Sequence, residues 1–239
     1  MVALVPASAP ALPGRNLADR VLALLERVDY RRADTPEAKE AIFRQRYRAY
    51  LREGAIAPNA GERLADALDD ARNTWIFVVH VDGELASSIR LHVASWQSAD
   101  LPALNVFGDL LSPELAAGKT IIDPTRFVVD RAASRRFPEL CYATTRLAWL
   151  ASEYFQTNLL LATVRAEHQA FYRRIFGHRL ICEPRHYPSL ARPISLMALD
   201  YAMARERVPQ RYPFFRSTFF ERRLLFARSQ PAAVLKTAA

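Results

Sequence analysis

Thr120-Ile121-Ile122-Asp123-Pro124-Thr125-Arg126-Phe127-Val128-Val129-Asp130 reads as a strand with chemistry in its middle. Ile121 and Ile122 on one side, and Phe127 to Val129 on the other, are branched or aromatic, as in a strand covered on both faces. Proline donates nothing to a sheet ladder, so Pro124 predicts a bulge or an edge within the run. An acid and a base inside an apolar strand are costly unless paired or used. Two readings stand open. Asp123 and Arg126 form a structural pair that braces a bulge, or the bulge aims both side chains into a cleft.

Working outward, the preceding Thr74 to Val81 is a β-rich run, and Asp82-Gly83 is a hairpin turn signal. Glu84 to His92 returns as a second strand, with Arg90 near its end. Residues 95–119 hold prolines and glycines and read as a long irregular connection. Further upstream, Asn16 or Asp19 caps a short helix ending near Glu26, and Val28 to Arg32 is a first strand. Thr35-Pro36 opens a helix that runs to Glu53 and stops at Gly54. Its stripe is Ile42, Phe43, Tyr47, Tyr50 and Leu51, with Arg44, Arg46, Arg48 and Arg52 covering the rest. Asp66, Asp69 and Asp70 read as a solvated helix face.

Downstream, a helix spans about Pro138 to Phe155, followed by a buried strand from Leu159 to Val164. Glu167 to Phe176 is a helix ending at Gly177, and short strands follow near Leu180 and over Ser195–Leu199. This order predicts one α/β domain with a mixed sheet and a bulged central strand over 28–204. A leader with a short helix occupies 1–27, and a basic, aromatic extension that the sequence does not place occupies 205–239. Ligands of such sheets sit where neighbouring strands diverge.

Composition narrows the partners. Hydrophobic residues make up 51% and charged residues 24% of the 239, ordinary for a folded protein. The formal net charge of +8 is not ordinary, and the only lysines are Lys39, Lys119 and Lys236. Arginine suits phosphates, carboxylates and acidic protein surfaces, so an anionic partner is expected. The arginines are scattered and match no zinc-finger, basic-zipper or RNP pattern, which argues against nucleic acid. Cys141 and Cys182 form no CxxC pattern, so a metal site or disulfide framework is not expected and a reducing cytoplasm fits. No apolar run approaches the roughly 18 residues of a membrane span, and Met1 to Pro13 reads as a disordered leader without a basic start.

IFRQRYRAYLREGAI (Ile42 to Ile56), SIRL (Ser88 to Leu91), DPTRFVVD (Asp123 to Asp130) and FYRRIFGHR (Phe171 to Arg179) together carry a resemblance. They resemble the N-acyl amino acid synthase family, acyltransferases of the GNAT fold related to N-acyl-homoserine-lactone autoinducer synthases. The resemblance runs from about Tyr30 to Tyr201. It implies a GNAT-like mixed β-sheet flanked by helices and transfer of an acyl chain from acyl carrier protein to the amine of an amino acid or similar small amine. Ordinary acetyl transfer from acetyl-CoA, or another acyl-CoA, is the alternative. The acyl-phosphopantetheine donor is then a co-substrate, with no tightly bound cofactor or metal. The product is a lipid able to reach the membrane.

The same resemblance assigns residues. Asp123 stands where the autoinducer synthases have glutamate before SRF, and Arg126 matches that motif's arginine. Asp123 becomes a candidate base for the amine, unless a permanent pair with Arg90 or Arg126 makes it structural. Arg90 matches the arginine of the hairpin strand and is the candidate grip on an acceptor carboxylate. Arg46 and Tyr50 match the first-helix motif. The phosphopantetheine arm is expected along Phe127, Val128 and Val129, with N–H groups freed near Phe127 and Val128 as oxyanion donors. Its phosphate is expected at Arg131, Arg135 or Arg136 and the following helix start.

Tyr172 matches the GNAT tyrosine that protonates the leaving thiolate, with a core aromatic as the other reading. The stripe Phe43, Tyr47 and Tyr50 reads as core or as acyl pocket, and His168 as an exposed helix histidine. Three departures mark the chain. The acid is the shorter aspartate, Gly177 falls one residue late, and no glycine-rich phosphate loop follows Val129.

Overall fold

The computed structural model describes residues 16–187 and 190–228, so the expected Met1–Pro13 leader lies outside it. α1 (Leu17–Leu25) opens on an Asn16 capping box with Asp19, and β1 (Val28–Arg32) follows. α2 (Pro36–Arg52) is capped by Thr35, with proline in its first turn. β2 (Thr74–Val81) and β3 (Glu84–Ala94) form the hairpin, turning at Asp82 and Gly83, both at positive φ. β4 (Ile121–Val129), β5 (Leu159–Val164), β6 (Arg179–Leu180) and β7 (Ser195–Asp200) complete a seven-stranded sheet in the order β1-β2-β3-β4-β5-β7-β6. All neighbours are antiparallel except β4 and β5.

The expected irregular connection over 95–119 contains a helix, α3 (Leu104–Ala116). Pro113 and Gly108 signal breaks, yet Phe107, Leu111 and Leu115 recur every four residues and are buried, so burial overrides the local signals. A kink at Phe107 absorbs part of the conflict. Between β4 and the expected long helix, now α5 (Leu140–Tyr154), lies a short α4 (Arg131–Arg136). α6 (Gln169–Ile175) ends at Gly177, whose φ of +89° strains any other residue there.

Alternation along the strands separates two layers. Phe77, Val79 and Ile122 pack on α1 and α5, while Ile76 and Val78 meet α2, and Ile121 meets α3. After α7 (Tyr201–Ala204), the aromatic segment from Arg205 packs onto the first layer through α8 (Arg207–Arg211) and α9 (Phe219–Phe226). Buried Arg146 on α5 pins it, donating to the Phe214 and Arg216 carbonyls and to Glu221.

Candidate active site

β4 and β5 pair only at Ile121–Leu159 and Ile122–Leu160, then separate. From Asp123 onward β4 is paired on the β3 side alone, a setting that tolerates Pro124. On that side the register slips: Ser88 faces Val128 and Arg90 faces Thr125, leaving Arg126 and Phe127 opposite one residue. Arg126 takes a φ of +51°, a strained backbone for a non-glycine residue and the hinge of the bulge. The predicted bulge exists, two residues after the proline that suggested it.

The divergence opens a cavity of about 540 Å³. Pro124 to Val129 form one wall, Thr163 to Arg165 another, with Tyr50 and Arg52 of α2, Cys141 of α5, Tyr172 of α6 and the Leu190–Arg192 segment around them. Phe127, Val128, Val129, Arg126, Tyr50, Tyr172 and Arg131 all line it, as does His168 beside Arg165. Arg135 and Arg136 do not; they lie exposed on α4, Arg136 over the Phe137 ring. The start of α4 is no empty anion seat, because Asp130 Oδ1 already accepts the Ala132 and Ala133 N–H groups at 2.8 and 3.0 Å.

Asp123 is fully buried and does not itself line the cavity. Its Oδ2 accepts the Ala103 N–H at 3.2 Å, and its Oδ1 accepts the Thr163 hydroxyl at 3.4 Å. Thr163 lines the cavity, so one hydroxyl separates the acid from it. Asp123 has no ion pair among the described residues, which removes the permanent Arg90 or Arg126 bridge. Burial pushes its carboxyl up to about 7, against the Ala103 N–H, the Arg90 charge and the Thr163 hydroxyl.

The arginines are spent elsewhere. Arg90 Nη1 donates to Asp66 Oδ1 at 2.6 Å and Asp69 Oδ1 at 2.9 Å, and its Nε donates to Thr125 Oγ1 at 3.1 Å. Arg46 Nη1 donates to Asp69 Oδ1 at 2.7 Å, and Arg126 Nη2 to Asp66 Oδ2 at 2.8 Å with its guanidinium over the Tyr50 ring. Neither Arg90 nor Arg46 reaches the cavity, a correction to their expected place beside a substrate. Arg46 is wholly buried instead of covering the outside of α2, and Asp69, expected on a solvated face, is buried between the two guanidiniums. Burial alone would raise the Asp66 carboxyl; Arg90 and Arg126 override it and hold it well below the usual range. Arg46 and Arg90 do the same for Asp69.

Phe43 and Tyr47 are buried in the body of the protein, away from the cavity, which resolves them as core; Tyr50 belongs to the cavity wall. Burial raises the Tyr172 phenol above its ordinary value and the Cys141 thiol to about 11, so both stay protonated near neutrality. Thr163, Arg52 and Arg192 line the site without having been singled out in the sequence. Only the position of Thr163, near the C-terminal end of a strand beside a divergence, hinted at it.

Among solved structures, the chain is similar to FeeM, an N-acyl amino acid synthase from uncultured soil microbes, at 18% identity and a TM-score of 0.64 over 75% of this chain and 94% of that one. It is similar to the CoA-dependent acyl-homoserine lactone synthase BjaI at 14% identity and a TM-score of 0.53 over 78% and 89%. An acyl-CoA N-acyltransferase from Pseudomonas aeruginosa aligns at 22% identity and a TM-score of 0.50 over 72% and 98%. The architecture is therefore that of the GNAT acyltransferases. A comparison with curated protein sequences gives no match. The family model described as N-acyl amino acid synthase FeeM matches residues 41–200, a span that holds the bulged strand, Asp123 and the whole cavity lining, and the chain belongs to this family of N-acyltransferases.

Proposed function

We propose that the chain moves a long acyl group from acyl carrier protein to the amine of an amino acid or similar small amine, in the cavity between β4 and β5. One observation carries the reading: a fully buried carboxyl with no ion pair among the described residues, one hydroxyl from the cavity. With its pKa raised to about 7, Asp123 suits proton removal from an amine at neutral pH.

The acceptor amine would enter beside Tyr50, Thr125 and Thr163. Its nitrogen attacks the thioester carbonyl carbon, forming the C–N bond and moving an electron pair onto the carbonyl oxygen. Phe127 and Val128 lie at the bulge, and their N–H groups are the candidate oxyanion donors. The proton leaving nitrogen passes to Asp123 through the Thr163 hydroxyl or a water. Collapse restores the carbonyl and breaks the C–S bond. The Tyr172 phenol, made a weaker acid by burial, serves as a hydrogen-bond donor to the leaving sulfur, which takes its proton from solvent. The Cys141 thiol, raised to about 11, does not compete as a nucleophile. Arg52 and Arg192, together with Arg126 through the nitrogens it does not give to Asp66, are the cavity arginines able to meet an acceptor carboxylate, in place of the buried and occupied Arg90.

The donor's pantetheine arm would lie along Phe127 to Val129, with its phosphate near Arg131 and Ser134. A CoA pyrophosphate normally wants close-approaching backbone N–H groups, and at α4 Asp130 has taken them. Arg135 and Arg136 outside the cavity suit the acidic surface of a carrier protein. The test is acyl transfer by the purified chain to mixed amino acids, from acyl carrier protein and from CoA thioesters of one chain length, read by mass spectrometry. The carrier-protein reaction should be faster. It should weaken as ionic strength passes the level where the Debye length is about 10 Å, and slow further when Arg135 and Arg136 become Glu. Equal rates from acyl-CoA, indifferent to salt and to those reversals, would move the chain to an acyl-CoA-dependent reading.

A further inference from the structure

α9, the last described helix, is two-sided in an unusual sense: its inner side is fully committed and its outer side is greasy. Inward, Phe226 is buried against Phe77, Tyr154 and Phe155, and Glu221 receives Arg146. Outward stand Phe219, Phe220 and Leu224, exposed at 66%, 68% and 66%. Phe220 and Leu224 are neighbours at i and i+4, and Arg223 sits in the same relation to Phe219, so the four side chains make one continuous stripe. A helix that faced only water would carry polar residues there; apolar patches of this kind mark contact sites.

Charge says what the stripe meets. Arg223 on α9, and Arg216 two residues before its Thr218 cap, are exposed and make no ion pair among the described residues. The acid of α9, Glu221, is turned inward onto Arg146. The outer face is thus apolar and cationic with no carboxylate of its own. A second copy across a twofold axis would set this cationic patch against the same patch of its partner, a like-charge contact. The stripe also avoids the catalytic mouth: α9 packs along the later turns of α5, near Arg146, Tyr154 and Phe155, whereas the cavity touches α5 at Cys141 in its first turn.

We infer that the outer face of α9 rests on an anionic lipid surface, with Phe219, Phe220 and Leu224 entering the headgroup boundary and Arg216 and Arg223 meeting the phosphates. Aromatic and leucine side chains bordered by arginine are the composition of an interfacial helix. The contact leaves the cavity open on another side of the molecule.

The test is co-sedimentation of the full chain with vesicles of phosphatidylcholine alone or with phosphatidylglycerol. The chain should pellet with the phosphatidylglycerol vesicles. Phe219→Ser, Phe220→Ser and Leu224→Ser together should weaken partitioning by more than about tenfold, with circular dichroism and melting unchanged because the positions are exposed. Arg216→Glu with Arg223→Glu should remove the preference for the anionic vesicles. A chain that stays in solution, or a triple variant that pellets as well as the original, overturns the proposal. So does a concentration-dependent dimer in analytical ultracentrifugation that the triple variant loses, which would give the stripe to a second copy.

Discussion

Two acidic sites lie on the sheet face covered by α2 and α3, and their chemistry is opposite. At one, Asp66 and Asp69 are surrounded by Arg46, Arg90 and Arg126, and pairing holds both carboxyls below the usual range. At the other, Asp123 has an N–H, a hydroxyl and no ion pair among the described residues, and burial raises it to about 7. Depth does not separate them, since Asp69 and Asp123 are both buried. Partners do. The paired site fastens the loop before β2 to α2, β3 and the bulge. The unpaired one is left able to exchange a proton.

The largest expected effect breaks the paired site. Asp69→Asn leaves Arg46 and Arg90 buried without their shared counter-ion, and removing one partner of a buried pair costs about 3–5 kcal/mol. Urea unfolding should show a loss of that size. A loss under about 1 kcal/mol would mean that water or Asp66 serves the guanidiniums well enough, and the site would not be the clamp described.

The next effect uses pH to set the sites against each other. Asp66 and Asp69 have folded values below their ordinary 3.8, so their stabilisation is present above that pH and lost as pH falls below it. Asp123 runs the other way. Its folded value of about 7 means the folded state holds a proton that the unfolded state has released, so its contribution is full below 3.8 and is lost as pH rises to 7. Asp123→Asn has no such proton. The variant should exceed the parent in stability above pH 7 by up to roughly 4 kcal/mol, and the gap should close towards pH 4. A gap that does not change with pH would refute the raised carboxyl.

A smaller effect sharpens the role of Arg90. Lysine cannot hold Thr125, Asp66 and Asp69 at once, so Arg90→Lys should lower stability by about 1–2 kcal/mol. The acceptor's KM should change less than in Arg126→Lys. A selective rise in acceptor KM for Arg90→Lys, at unchanged stability, would return Arg90 to the substrate.

The strands were legible because their signals are local: the Asp82-Gly83 turn and the alternation of Phe77 and Val79 with Ile76 and Val78 need no distant partner. α3 was hidden because Pro113 and Gly108 speak locally against a helix that Phe107, Leu111 and Leu115 stabilise by packing with strand residues distant in sequence, Leu161 and Leu196 among them. The ion network was hidden for the same reason. Asp69 lies 23 residues from Arg46 and 21 from Arg90, and an acid cluster without its cations reads as solvated. The motif residues Asp123, Arg126 and Tyr172 were visible as residue types. Which of them stayed free of a partner depended on Asp66 and on Thr163, 40 residues from Asp123.

The most direct measurement is mass spectrometry of lipid extracts from cells making the chain or its Asp123→Asn variant at matched levels of folded protein. An N-acylated amine should appear with the parent and fall by about a hundredfold or more with the variant, the usual scale of losing a general base. The mass would name acyl chain and acceptor together. Undiminished product from a folded Asp123→Asn variant would contradict the account.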